Sequence, residues 1–320
     1  MHSIIEIAKK ANVSKSTVSR VINGNGYVSK EVRERVLKTI EEMNYSPNHM
    51  ARSLKLNQSN IVALFVPTIS HPFFSKIADA IEEELYKKDM RMIVVSSRGN
   101  KEKEVRLLDM INQNQVDGII FITHHVYDSI DQSLPIVTID RHLGDHIPCI
   151  TTNNYEATKS AVEYLYSVGS KKIGFIGGKP KVKSEVEKRL KAYIDTVKSH
   201  GLEPIYMYED FNHGEEIIYA KEFLDRYPDV DAIFASGDIM ANSIYQLAIA
   251  RGKNVPNDLK IITYDGMMDD LVLHPIFTKC QQDITAMGHA AVEQLLHKIK
   301  GENCEKMVTI PIKFVKGETA

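Results

Sequence analysis

Cysteine is scarce: Cys149, Cys280 and Cys304 are spread widely along 320 residues, with no CxxC pair. That argues against a disulfide framework and a cysteine metal site, and the thiols read as reduced structural groups in a cytoplasmic protein. No apolar run approaches the roughly 18 residues that cross a bilayer, and the first residues hold no hydrophobic signal segment. Neither membrane insertion nor export is expected. Also lacking are a P-loop, a GxGxxG turn behind a strand and a GxSxG elbow. Gly174, Gly177 and Gly178 cluster, but at the wrong spacing for a dinucleotide. His142 and His146 stand at i, i+4 with Gly144 between them, so they read as solvated loop residues rather than metal ligands. No catalytic residue, cofactor or metal is expected.

What is present is an uneven charge. Residues 1–60 carry ten Lys and Arg against five Glu and no Asp, a net of +5, whereas the whole chain is −2 and the remaining 260 residues therefore hold −7. A basic head on an acidic body is the asymmetry of a nucleic-acid module joined to something else. At 320 residues the chain exceeds one ordinary domain, and the part beyond the head is long enough for two lobes.

In the head, Ser3 and Glu6 form a capping-box pair, and Ile4, Ile7, Ala8 and Ala11 recur at helical spacing, which predicts a helix over 4–11. Asn12-Val13 then makes a tight turn, Asn being one of the few residues that tolerates a left-handed backbone. Ser14 caps a second helix over 14–23, with Val18, Val21 and Ile22 inward and Lys15, Ser16, Ser19, Arg20 and Asn23 outward. A third helix runs from Ser29 to about 44, with Val32, Val36, Ile40 and Met43 on one face. Two short helices about so tight a turn are a helix-turn-helix. A plain helical bundle with a solvated charged face is the blander alternative, and the charge asymmetry favours DNA.

From residue 61 the pattern becomes short apolar runs alternating with amphipathic segments. Runs at 61–66, 92–95, 118–122 and 136–139 alternate with helices at 73–88 and 101–114. The pattern restarts with helices at 155–168, 184–200, 214–227 and 238–251 around runs at 173–177, 205–208, 232–235 and 261–264. This is βαβ alternation, and two such units predict two parallel-sheet lobes with a ligand cleft at the carboxyl ends of their strands.

These residues carry a family resemblance. Val13-Ser14, Thr17-Val18-Ser19-Arg20-Val21, Asn23, Val28-Ser29, Asn44-Tyr45, Pro47-Asn48, Ala51-Arg52 and Leu54 follow the head signature of the LacI/GalR transcription repressors. Asp140-Arg141, Gly177-Gly178, Arg189, Tyr193, Asp210-Phe211, Val255-Pro256, Asp258 and Tyr264-Asp265 follow its body. The chain departs from the family at Asn12, Ala192, Asn153-Asn154 and Gly237. The resemblance implies an all-α helix-turn-helix head (1–45), a hinge helix or linker (46–60) and an α/β periplasmic-binding-protein-like body (61–320). It implies a first lobe of about 61–154 plus 284–305 and a second of about 155–283 plus 306–320.

It implies a function as well: a repressor of a carbohydrate operon, binding pseudo-palindromic double-stranded operator DNA as a homodimer. Lys15, Ser16 and Arg20 would read bases, and Ser14, Thr17, Asn23 and Tyr27 would hold phosphates. Asn48, Ala51, Arg52 and Leu54 belong to the hinge, where Leu54 would wedge into the minor groove unless it packs the linker on the body. With no Leu heptads at its end, the chain is expected to be dimeric rather than tetrameric. The implied effector is a sugar or sugar phosphate, contacted by Phe73, Phe74, Asp140, Arg189, Phe211, Asp238 and Asp265. Asp238 has an alternative role as a helix cap, and one of Phe73 and Phe74 is expected in the core. Lys179, Lys181 and Lys183 near the cleft leave a phosphate open. The sequence leaves open an inducer, a corepressor or a phosphoprotein partner. An enzyme with a DNA-binding head, a transport-type binding protein and an architectural DNA binder fit the motifs, the basic head and the long body less well.

Overall fold

The computed structural model describes residues 3–23, 25–43, 58–98, 100–123, 125, 127, 130–210, 213–267 and 275–320, the side chains of Asn23 and Leu107 excepted. The expected hinge residues Asn48, Ala51, Arg52 and Leu54, and the aromatic Phe211, lie outside them. The chain divides into two compact units, Met1–Ser59 and Asn60–Ala320.

The first unit holds α1 (Ile4–Lys10), α2 (Lys15–Asn23) and α3 (Lys30–Glu42). The capping box forms: Ser3 Oγ accepts the Glu6 N–H at 3.3 Å, and the Glu6 carboxylate accepts the Ser3 N–H at 2.8 Å. Asn12 takes the left-handed backbone that the turn requires, with φ 51°. Ile7, Ala8, Ala11, Val18, Val21 and Val36 are buried together, and Val32, Ile40 and Met43 pack against them. Burying each Val or Ile contributes about 1.5–3 kcal/mol, which is what holds so small a module together.

The second unit holds two six-stranded sheets. β1 (Ile61–Val66), β2 (Arg91–Ser96), β3 (Gly118–Phe121), β4 (Ile136–Ile139), β5 (Cys149–Thr152) and β11 (Met307–Ile310) form the first, in the order β11-β5-β4-β3-β1-β2. β6 (Ile173–Gly178), β7 (Ile205–Glu209), β8 (Ala232–Ala235), β9 (Lys260–Asp265), β10 (Thr278–Gln281) and β12 (Lys313–Val315) form the second, in the order β12-β10-β9-β8-β6-β7. All pairings are parallel except β10 with β12. Helices cover the faces. In the first lobe, α4 (Pro72–Tyr86) and α10 (Ile284–Ile299) bury Phe73, Ile77, Ile81, Leu85, Met287 and Leu295 on one side, and α5 (Lys101–Asn112) packs on the other. Gly288 lets α10 approach α4, since a Cβ there would come within 2.8 Å of the Ala80 Cβ. In the second lobe, α6 (Asn154–Ser167) and α7 (Glu187–Ser199) cover one face, and α8 (Glu216–Arg226) and α9 (Asp238–Ala250) the other.

One boundary differs from expectation. Residues 307–310 were expected in the second lobe, but β11 pairs with β5 in the first, Met307 beside Cys149 and Ile310 beside Thr152. Only from β12 onward does the tail belong to the second lobe. Cys149 and Cys280 are buried, and all three thiols are free. Among the described residues no helix is long and apolar enough to cross a membrane.

Candidate functional site

On the head, α2 presents Lys15, Ser16 and Arg20 to solvent, while Thr17 and Ser19 are half-buried and Val18 and Val21 face the core. Ser14 Oγ accepts the Thr17 N–H at 3.1 Å and so caps the helix. The same oxygen lies 2.7 Å from Ser16 Oγ and 2.8 Å from Thr17 Oγ1, a cluster of three hydroxyls at the helix start. Arg20 lays its methylenes over Gly26, whose φ of 79° admits the close turn. Among the described residues neither Lys15 nor Arg20 has a carboxylate partner, so both charges stand free for an anion. Tyr27 is 90% exposed.

In the body, the carboxyl ends of the strands of both lobes line one cavity of about 720 Å³. Arg189 lines it. The side chain projects from the first turn of α7, 4% exposed. Its Nε donates to Asn154 Oδ1 at 2.6 Å, Nη1 donates to the Ser236 carbonyl at 3.0 Å, and the guanidinium lies 3.5 Å from the centre of the Tyr264 ring. A stacked, doubly bonded guanidinium cannot swing away, so its remaining N–H groups are aimed in advance.

Two aspartates share the cavity with it. Asp265 Oδ1 is 3.8 Å from Arg189 Nη1 and accepts Gln282 Nε2 at 2.6 Å; burial raises its pKa, against the pull of Arg189. Asp140 accepts Thr151 Oγ1 at 2.6 Å. Both sit at positive φ, 57° and 84° for Asp140 and Asp265, a backbone that Asp tolerates better than most residues. Gln282 lines the cavity at 5% exposure, its Nε2 committed to Asp265, and its buried Oε1 has no partner among the described residues. Below Asp140, Arg141 joins the lobes: Nη1 donates to Ser184 Oγ at 2.7 Å, and Nε to the Thr123 carbonyl at 3.1 Å.

Phe73 and Phe74 both line the cavity, Phe73 while also packing into the first-lobe core, so core and cleft roles coincide. Phe74 contacts the ring of His71 at 5.4 Å, and His71 contacts His213 of the other lobe at 5.4 Å. His71 caps α4 by accepting the Phe73 N–H on Nδ1 at 3.2 Å. Burial, with His213 nearby, lowers its pKa to about 4, so the ring is neutral at pH 7.

Of the residues expected to hold an effector, Phe73, Phe74, Asp140, Arg189 and Asp265 come together. Asp238 does not line the cavity. Its carboxylate is taken up by Thr263 Oγ1 at 2.9 Å and by the Gly266 and Met267 N–H groups, and it makes no cap bond to its own helix. Burial and the nearby Asp265 raise its pKa to about 6. Asp238 therefore fixes the loop that carries Asp265. Sequence reasoning passed over Gln282, because β10, Thr-Lys-Cys-Gln, is too short and polar to register as an apolar run. It also passed over Asn154 as the partner of Arg189, and over the His71–His213 contact.

Comparison with known proteins agrees with this arrangement. Residues 3–48 match the model of the bacterial regulatory proteins, lacI family, and residues 59–318 that of the periplasmic binding proteins and sugar binding domain of LacI family. The ribose operon repressor of Halalkalibacterium halodurans is 34% identical over 322 residues, covering 100% of this chain and 97% of the relative. The sucrose operon repressor of Pediococcus pentosaceus is 32% identical over 98% of each chain. The fold matches the lac repressor dimer bound to operator and the anti-inducer ONPF, with a TM-score of 0.86 at 23% identity over 99% of this chain and 98% of that one. From its helix-turn-helix head to its two-lobed body, the chain belongs to the LacI family of bacterial regulatory proteins.

Proposed function

We propose that this protein is a repressor of a carbohydrate-utilisation operon that leaves its operator when a small polyhydroxylated molecule occupies the cleft. The observation that carries this reading is the immobilised Arg189 guanidinium facing Asp265, in a cavity also lined by Asp140, Gln282, Phe73 and Phe74. Charged groups that bond vicinal hydroxyls, set beside aromatic faces for the C–H side of a ring, are what sugar recognition needs. The relatives named for ribose and sucrose operons fit the same chemistry.

Lys15, Ser16 and Arg20 read base edges in the major groove, while Ser14, Thr17, Asn23 and Tyr27 hold phosphates. Residues 46–60 act as the hinge, with Leu54 as minor-groove wedge beside Asn48, Ala51 and Arg52. A pseudo-palindromic operator read by two heads makes the working unit a homodimer. Effector and operator are linked: each changes the affinity of the other by the same factor, set by the effector's preference for one arrangement of the protein.

The test is a thermal-shift screen of sugars and sugar esters, followed by operator titrations with and without each hit. A hit that weakens operator binding at least tenfold supports the reading. If none of the ligands that bind alters operator affinity, the switch is refuted.

A further inference from the structure

The cleft is electrically uneven along its length. At the end nearest the lobe crossovers, where β5 and β10 lie, the cations are engaged by the protein: Arg189 by Asp265, and Arg141 by the Asp140 carbonyl and the Ser184 hydroxyl. The other end is formed by residues that follow β1 and β2 in the first lobe and β6 and β7 in the second, the strands farthest from those crossovers. There the cavity is lined by His71, Arg98, Lys179, Lys181, Asp210 and His213. Lys181 is paired with Asp210 at 2.9 Å, and His213 lies 3.3 Å from Glu216. Arg98 from the first lobe and Lys179 from the second have no carboxylate partner among the described residues. Two cations without a carboxylate partner among the described residues therefore border one cavity from opposite lobes, with the Glu216 carboxylate beside His213 in the same lining.

Arg98 is also unusual in its backbone. Seven described non-glycine residues have positive φ, and the other six are Asn or Asp, the types that adopt it most readily; Arg98, at φ 50°, is the exception. A strained backbone beneath a cavity-facing side chain marks a position held for function rather than for local comfort. The backbone is pinned there by the Arg98 N–H bond to the Pro67 carbonyl at 2.9 Å.

We propose that this outer end is a phosphate subsite and that the effector is a sugar phosphate, with its hydroxyls at the Arg189 end and its phosphomonoester between Arg98 and Lys179. The inference rests on the carbohydrate reading above and adds the charge of the ligand. A phosphomonoester carries close to two negative charges at pH 7 and offers three acceptor oxygens, enough to engage a guanidinium and an ammonium together. A dianion held by one cation from each lobe favours the arrangement in which both can reach it. It thereby supplies the differential affinity that a switch requires.

The test uses the full chain and matched pairs in calorimetric titration: ribose with ribose 5-phosphate, glucose with glucose 6-phosphate, fructose with fructose 6-phosphate, and sucrose with sucrose 6-phosphate. Glucuronate and inorganic phosphate serve as further probes. The expected result is at least one pair whose phosphorylated member binds tenfold or more tightly than its partner. That advantage should fall below threefold in the Arg98→Gln, Lys179→Gln double variant and persist in the charge-keeping Arg98→Lys, Lys179→Arg variant, with folding checked by thermal transitions. A result in which every neutral sugar that binds does so as tightly as its ester overturns the subsite while leaving the carbohydrate reading intact. So does a preference that survives the double Gln variant, or glucuronate binding as tightly as glucose 6-phosphate. Binding by no pair at all overturns the carbohydrate reading itself, and the subsite with it.

Discussion

On α2 of the head, the side chains assigned to base reading point outward and touch little; around Arg189 in the cleft they are buried and bound to one another. Lys15 and Arg20 are exposed and have no carboxylate partner among the described residues, whereas Arg189 is 4% exposed and held by Asn154, Ser236 and Tyr264. The difference follows from the two ligands. DNA is a large polyanion that supplies its own field and reaches out to a protruding helix. A small molecule surrounded by protein must find its partners already fixed, since ordering loose side chains would use up much of its binding energy. Substitutions should therefore cost the head only its ligand, and the cleft both its ligand and part of its fold.

Arg189→Met tests that contrast most severely. It leaves Asp265 and Asn154 Oδ1 buried without their cation, so urea unfolding should show a loss of about 3–5 kcal/mol together with the loss of effector response. A loss under about 1 kcal/mol would mean that the cleft is no more integral to the fold than the head.

His71→Asn comes next, because it probes a cleft group that is fixed in one protonation state. Burial lowers the His71 pKa from 6.5 to about 4, so between those values the unfolded chain binds the proton and the folded chain does not. Stability therefore rises with pH across this window, and is lost as pH falls from about 6.5 toward 4, by up to about 3 kcal/mol from this group. Asn can still accept the Phe73 N–H as a cap. In unfolding titrations from pH 7 to 4 the variant should lose less stability than the parent by roughly that amount. Parallel curves would show that His71 titrates normally.

The same contrast explains what the sequence made legible. Exposure on a helix is a local property with a period of 3.6 residues, so the inward positions Val18 and Val21 and the outward Lys15 and Arg20 could be read from spacing alone. The strands were equally legible because Ile and Val runs buried on both faces leave little ambiguity, as at 136–139 and 232–235. The cleft was legible only in part. Arg189 sits in a charged run and looks like surface by composition, yet it shares a buried face with Ala192, Tyr193, Thr196 and Val197, and that periodicity was the available signal. Gln282, His71 and His213 carry no such signal, since their meeting depends on how two sheets face each other. Asp238 misled for the related reason that a carboxylate at a helix start can turn toward another loop.

Two substitutions on the DNA-binding side, one in the hinge and one in the head, carry smaller effects. Leu54→Ala should weaken operator binding by about 2–3 kcal/mol, the scale of a lost minor-groove wedge, while the dimer measured by sedimentation is unchanged. Unchanged operator affinity would remove the wedge. Arg20→Ala should cost about 1–3 kcal/mol in operator affinity, concentrated at one base position, and leave unfolding of the body where it was. A uniform loss across operator variants would make Arg20 a phosphate contact instead.

The smallest effect sits where the contrast is least clean, at Ser14, which is both a cap and part of a hydroxyl cluster with Ser16 and Thr17. Ser14→Ala should destabilise the start of α2 by about 1 kcal/mol, read as faster amide exchange at Thr17 in the full chain, and weaken operator binding by a similar amount. Ser14→Asn restores the cap but not the hydroxyl. If operator affinity returns with the cap, Ser14 acts only by forming the helix, and the head is as simple as its exposed face suggests. If exchange slows again while affinity stays low, the hydroxyl is needed for the contact itself. The start of α2 would then resemble the cleft, where recognition depends on side chains holding one another in place.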